Sequence, residues 1–251
     1  ISIACWNYYC LTRDGQWLRT KAFPLMKAVA DFWVSRVTRN DDGSYSICNV
    51  VGADEYANGV DDNAFTNGAA IRALEYACEA ARICNEPVPE IWKEVGKGIR
   101  ILRFKDGVTR EHATYNGEMI KQADVNLLGY PLYFVGDAES QKKDMEYYVD
   151  KIDPQNGPAM SYSVFCVQYA RMGDAKRAYE MFCRCYQPNL RAPFGVLAET
   201  PTSDNPYFMT GAGGLLQAVI NGFCGLQITD GGVEQLSSVL PAHWKKVTVK
   251  G

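Results

Sequence analysis

The chain has 251 residues, 47% of them apolar, and carries a net charge of -3 from 26 basic and 29 acidic side chains. That apolar share can bury a substantial core, which excludes a disordered chain, and the scattered Lys and Arg residues leave no electrostatic footprint for nucleic acid or an anionic membrane surface. No run of about 18 apolar residues exists to span a bilayer, so the expected partner is small and neutral.

The chain opens without Met and inside a helical pattern, Ile1, Ile3, Ala4, Tyr8 and Leu11 keeping roughly one face before Arg13-Asp14-Gly15 turns it. It reads as a piece of a longer protein, and its compartment is left open because a signal peptide would lie upstream. Residues 20–37 place apolar side chains at 22, 25, 26, 29, 30, 33, 34 and 37, a helical stripe with Pro24 in its first turn. Residues 44–50 alternate as a short strand would. Residues 64–84 return to helical composition and stop at Asn85, and residues 89–101 supply a second helix to make a hairpin with it. The pattern repeats over 121–130, 138–152, 159–172 and 175–186, with Pro131, Pro154 and Gly173 as stops and Asp174 as a cap, and 213–221 is the last helix expected. Beyond Gly225, Gln227-Ile-Thr-Asp230 and Lys246-Val-Thr-Val-Lys250 are β-branched with period two.

The expectation is therefore an all-α domain over 1–224 handing over at 225–251 to the start of a small β-sheet domain. Hairpins joined by long polar connectors suggest an α/α toroid whose loops build a site at one end. A TPR or HEAT array is the alternative, but no fixed period of 34 or 40 residues is present. Nine cysteines is an odd number, with Cys183-x-Cys185 the only close pair, which reads as buried reduced thiols rather than a zinc ribbon or a disulfide framework.

Four carboxylates crowd the irregular stretch Val50-Val-Gly-Ala-Asp-Glu-Tyr-Ala-Asn-Gly-Val-Asp-Asp-Asn-Ala-Phe-Thr-Asn67. Asp54, Asn58 and Gly59 match positions one, five and six of an EF-hand loop, but Tyr56 and Phe65 stand where ligand oxygens belong, so no metal is expected. Asp61 and Asp62 precede the helical run from Ala64, where unpaired amides favour acids, and are expected to cap it. Asp54 and Glu55 lie earlier, among small residues and beside Tyr56, in a setting that suits a general acid. The next acid in a comparable setting is Glu199, in Ala-Glu-Thr-Pro. Composition alone makes Glu199 a solvated loop acid, although two carboxylates on separate inter-helix loops are also what glycoside hydrolysis requires. Thr210-Gly-Ala-Gly-Gly214 lacks the last glycine and the context of a dinucleotide fingerprint and fits close helix packing better. His112 and His243 are far apart with no metal spacing around them, and no cofactor is indicated.

Gly52-Ala-Asp-Glu-Tyr56 together with Lys121-Gln-Ala-Asp-Val125 resembles glycoside hydrolase family 65, and Trp6-Asn-Tyr-Tyr9, Trp17-Leu-Arg19, Phe32-Trp33-x-Ser-Arg36, Gly157-Pro-Ala-Met160 and Gly213-Gly214 extend the likeness along nearly the whole chain. The resemblance implies the C-terminal part of an (α/α)6 barrel and an inverting, exo-acting α-glucosidase of the hydrolase branch, with kojibiose-type α-1,2-glucosides favoured. It implies that Glu55 is the general acid, that Glu199 is the general base, and that Lys121 and Gln122 hold the glucose ring in subsite -1. Phosphorylases of the family have a hydroxyl-rich phosphate loop and a Gly-Ile-His segment, where this chain has Pro158-Ala-Met-Ser161 and Pro206-Tyr-Phe208. A phosphate would lose donors and meet the charge of Glu199, so a phosphorylase is the second reading and a non-catalytic sugar-binding or scaffold module the third. Ala57 stands where many relatives carry His. Further barrel helices, a Trp-Asp pair gripping the glucose and an N-terminal sandwich domain are expected upstream of Ile1, so that the piece by itself is expected to be inactive.

Overall fold

The computed structural model describes residues 1–134, 137–205 and 207–250, so of the expected phosphate-site counterpart Pro206 lies outside the described residues. The chain is mostly helical, with three two-stranded sheets among the described residues. It divides into two compact units.

The first unit comprises Ile1–Gly52, Asn58–Tyr115 and Ile228–Val233. Helix α1 (Ser2–Thr12) ends with Arg13 in the left-handed conformation, and Asp14 then caps the single turn α2 (Gly15–Trp17) by accepting from the Trp17 amide at 2.8 Å. A π turn over Leu18–Ala22 leads into α3 (Phe23–Arg36), immediately before Pro24, whose missing N–H cannot complete a regular helical ladder. The stripe expected over 20–37 is thus helical as far as Arg36, with its first turn widened and Val37 extended. Helix α4 (Ala64–Cys84) has the bounds its sequence predicts, with Asn85 left-handed at its C-cap. Its alanine-rich face packs on α1, α3 and α5 (Glu90–Gly98), whose Trp92 is fully buried. The strand expected over 44–50 shortens to β2 (Tyr45–Ser46), paired antiparallel with β1 (Thr38–Arg39).

Asp61 and Asp62 do not cap α4. Asn63 does, its side chain accepting from the Thr66 amide at 2.9 Å. Asp61 instead accepts from the Asn49 amide at 2.8 Å, and buried Asp62 takes the Ser46 hydroxyl at 3.0 Å and Arg100 at 3.3 Å. The neighbouring loop had unpaired donors to satisfy, and a nearer residue with the right backbone geometry took the cap.

The second unit comprises Ala53–Ala57, Asn116–Gln227 and Glu234–Gly251. Its hub is α7 (Met160–Arg171), nearly every side chain of which from Ser161 to Ala170 is buried against α8 (Ala175–Arg184), α9 (Met209–Gln217) and a π turn over Ala218–Phe223. Helix α6 (Ala138–Tyr148) is capped by Asp137, and Asp174 caps α8 as its sequence predicts. Gly214 explains the glycine-rich run before the π turn, since a Cβ there would lie 2.6 Å from the Ser163 hydroxyl of α7. The helix expected over 121–130 is absent. Only a 3-10 turn, Val125–Leu128, forms there, because the Lys121 amide and the Asp124 carboxylate are bonded to the loop at Asp54.

Strands β3 (Leu190–Arg191) and β4 (Val196–Leu197) pair as a short antiparallel hairpin ahead of Glu199, and β5 (Leu226–Thr229) pairs with β6 (Gly232–Gln235). Strand character at 227–230 is therefore present, but residues 246–250 form no strand: period-two patterning makes one only where a neighbouring edge offers hydrogen bonds. All nine cysteines are free, five of them buried. No described helix is long and apolar enough to cross a membrane.

Candidate active site

Segment Ala53–Ala57 is irregular backbone with no ladder of its own, so its amides need side-chain acceptors. Two buried carboxylates supply them. Asp124 accepts from the Ala53 amide at 2.8 Å and the Asp54 amide at 3.3 Å, while Asp54 accepts from the amides of Tyr56 at 3.2 Å and Lys121 at 2.7 Å. Gln122 adds a bond from its amide nitrogen to the Ala53 carbonyl at 2.5 Å. The segments around Glu55 and Lys121 are thereby sewn together, and the shaping of the loop falls to Asp54 and Asp124.

The Glu55 side chain, 58% exposed, projects from this frame and accepts a hydrogen bond from the Lys121 ammonium. The neighbouring Tyr56 donates its hydroxyl to Asp153 at 2.7 Å. Lys121 Nζ also lies 3.9 Å from Glu199 Oε1, so one ammonium is flanked by both sequence-predicted carboxylates. The hydrogen bond to Glu55 raises the Lys121 pKa above its ordinary value against the burial that opposes it, and the charges of Glu55 and Glu199 add to the rise.

Glu199 follows β4, on a loop whose carbonyls are held by side-chain donors. Asn189, buried, donates to the carbonyls of Ala198 at 3.1 Å and Glu199 at 3.0 Å. The Arg191 guanidinium donates to those of Thr200 at 3.2 Å, Pro201 at 2.8 Å and Ser203 at 2.8 Å. Sequence reading missed both residues, as it missed Asp124 and Asp153. Asn-Leu-Arg ahead of a Pro-Phe-Gly turn was the available signal for the first two, and it carries no chemistry until the hairpin is drawn.

Of the four predicted site residues, Glu55, Lys121 and Glu199 converge. Gln122 is buried just beside them and lines a cavity of about 340 Å³ together with Ala53, Ser161, Thr210 and Gly214. Ala57, buried, closes the turn by donating its amide to the Asp54 carbonyl at 3.2 Å. Among the described residues no three His, Cys, Asp or Glu side chains converge as metal ligands would.

Residues 1–99 match the central catalytic domain of glycosyl hydrolase family 65. A kojibiose hydrolase of Mucilaginibacter mallensis is 49% identical over 251 residues, covering 100% of this chain and 37% of that protein. The chain belongs to glycosyl hydrolase family 65. A second relative, a protein-glucosylgalactosylhydroxylysine glucosidase of Dictyostelium discoideum, is 37% identical, covering 93% of this chain and 33% of its own length. Among solved structures, a chain described as a kojibiose phosphorylase from the human microbiome has a TM-score of 0.70 at 18% identity, covering 92% of this chain and 35% of that one, and so shares its fold. The family 65 chain thus spans about a third of the length of these curated relatives. The family match includes Glu55 but ends before Lys121 and Glu199, which lie within the span aligned to the kojibiose hydrolase.

Proposed function

We propose that the protein to which this family 65 segment belongs is an inverting, exo-acting α-glucoside hydrolase, with kojibiose or a similar small neutral α-glucoside as substrate and β-glucose as product. The observation that carries the reading is the ammonium of Lys121 shared between Glu55 and Glu199, two carboxylates 144 positions apart in sequence. The distances to that nitrogen put the two nearest carboxylate oxygens at most about 6.3 Å apart, between the ~5–5.5 Å of a retaining pair and the ~6.5–9.5 Å of an inverting one, so the inverting assignment rests on the family resemblance and the anomer first released tests it. Likeness to a kojibiose hydrolase at 49% identity supports the substrate class.

In this mechanism Glu55 gives its proton to the glycosidic oxygen while Glu199 takes one from a water on the opposite face of the ring. Lys121 and Gln122 grip the glucose. Sugar hydroxyls that draw the Lys121 ammonium off Glu55 let that carboxylate take up a proton from solvent, which it then gives to the leaving oxygen, and the same ammonium stays near enough to Glu199 to hold it. The segment belongs in this reading to the C-terminal part of an (α/α)6 barrel over 1–224, with a β-sheet domain beginning at 225–251.

A second reading, a phosphate-dependent disaccharide phosphorylase, draws on the fold shared with the kojibiose phosphorylase. The carboxylate of Glu199 argues against it, since it would face an anion of its own sign. Incubating the full-length protein with kojibiose, with and without inorganic phosphate, separates the two. The hydrolase releases glucose at a rate phosphate does not change, whereas phosphate-dependent release with formation of glucose 1-phosphate overturns the proposal in favour of the second reading.

A further inference from the structure

Resting on that reading, we propose that residues 151–159 are a spacer that sets the separation of Glu55 from Glu199, and that Asp153 is its positioning residue, acting through Tyr56. This one segment touches all three arms of the site. Beside Lys121 it forms a parallel bridge, the Ile120 amide donating to the Lys151 carbonyl at 2.9 Å and the Asp153 amide returning to the Ile120 carbonyl at 2.8 Å. Toward Glu55 it offers the Asp153 carboxylate, whose Oδ2 receives the hydroxyl of the adjacent Tyr56 at 2.7 Å. Toward Glu199 it makes two contacts: the Ala159 amide donates to the Glu199 carbonyl at 3.1 Å, and the Thr202 hydroxyl donates to the Gln155 carbonyl at 3.1 Å.

The segment is itself rigid where it needs to be. Asp153 Oδ1 takes the amides of Gln155 at 2.8 Å and Asn156 at 3.0 Å, and Oδ2 takes the Asn156 side chain at 3.1 Å, so the carboxylate is fixed before Tyr56 reaches it. These bonds, the Asn156 amide foremost and the Tyr56 hydroxyl next, hold the Asp153 carboxyl well below the usual carboxylate range. The Gly157 amide closes the turn onto the Asp153 carbonyl at 2.8 Å, and a Cβ on Gly157 would stand 2.4 Å from that oxygen and 3.2 Å from the Lys121 carbonyl. The turn therefore lies against the Lys121 backbone with no room for a side chain.

A chain of contacts running Glu55, Tyr56, Asp153, Ala159, Glu199 fixes how far the acid stands from the base. In an acid and base pair that separation decides whether a water fits, so slack in the spacer should slow the chemical step more than it weakens sugar binding. The tie is polar and half-exposed, which makes its loss survivable for the fold.

The test uses the full-length enzyme with Tyr56→Phe, Asp153→Asn and the double variant, following kojibiose hydrolysis and thermal unfolding in parallel. Asp153→Asn keeps an oxygen for the two amides but turns a donor toward Tyr56. Each single variant is expected to lower kcat about 10- to 100-fold with KM nearly unchanged, the double variant to be no worse than the worse single, and Asp153→Glu to recover part of the rate. Independent, multiplying losses, a KM effect confined to Tyr56→Phe, or wild-type kcat in both singles would overturn the inference. A wild-type enzyme that hydrolyses no α-glucoside overturns the reading of function and the inference with it, whereas an active wild type with unaffected variants overturns the inference alone.

Discussion

Glu55 and Glu199 reach the same ammonium from loops anchored with opposite polarity. The arm of Glu55 leaves backbone amides unpaired, and buried carboxylates, Asp54 and Asp124, take them up. In the arm of Glu199 it is backbone carbonyls that side chains hold, through the donors Asn189 and Arg191. Each arm is held by side chains other than Glu55 and Glu199, whose carboxylates meet Lys121 instead. The difference also predicts different fragility. Charge is buried on the Glu55 side, while on the Glu199 side a partly exposed guanidinium does the holding.

The largest effects should come from the two carboxylates themselves. Glu55→Gln and Glu199→Gln in the full-length enzyme should each lower kcat by roughly 10²- to 10⁴-fold with folding intact by circular dichroism. A variant retaining near wild-type turnover would remove its arm from the comparison. Next, Arg191→Ala should reduce kcat about 10- to 100-fold by loosening the Glu199 loop, with Arg191→Lys intermediate because a single ammonium cannot span three carbonyls. Equal rates for Arg, Lys and Ala at this position would show that the loop holds without its clamp.

On the Glu55 side the expected loss is one of stability first. Asp124→Asn should lower the unfolding free energy by about 1–3 kcal/mol in denaturant titration, since an amide can replace only part of what the carboxylate accepts. Asp62→Asn, which strips the partner from Arg100 and Ser46 in the other unit, should cost a similar amount while leaving kcat and KM at wild-type values. That contrast sharpens the claim that acids of one short stretch serve different ends.

The smallest effect concerns pH. Because Asp153 is held below its ordinary value of 3.8, its stabilising contribution is complete above that value and is lost as pH falls below it toward the folded-state value. The melting-temperature gap between wild type and Asp153→Asn should therefore be constant at neutral and mildly acidic pH and shrink below about pH 4. A gap unchanged down to pH 2.5 would mean that the carboxylate charge plays no part in the tie.

Much of this was legible in the sequence where local rules decide alone. Helix α4 starts and stops where composition and Asn85 say it should, and Asp174 caps α8. Legibility failed where distant segments compete for the same backbone. Residues 121–130 have a helical pattern, yet the amide of Lys121 and the carboxylate of Asp124 are drawn to a loop some 70 positions away, and the helix gives way to a single 3-10 turn. Asp61 and Asp62 look like caps for the same reason that they are not: the donors they satisfy, at Asn49 and Ser46, are invisible until β1 and β2 fold back. Glu55 could be nominated from its neighbours. Glu199 looked like any solvated loop acid, and only its approach to Lys121 sets it apart.

The central claim, that Glu55 and Glu199 act across the sugar as acid and base on a water between them, is tested most directly by the anomer first released. Proton NMR of the full-length enzyme acting on kojibiose, read before mutarotation, should show β-glucose appearing first, at the same rate with or without phosphate. α-Glucose as the first product, or no glucose at all unless phosphate is present, would contradict the account.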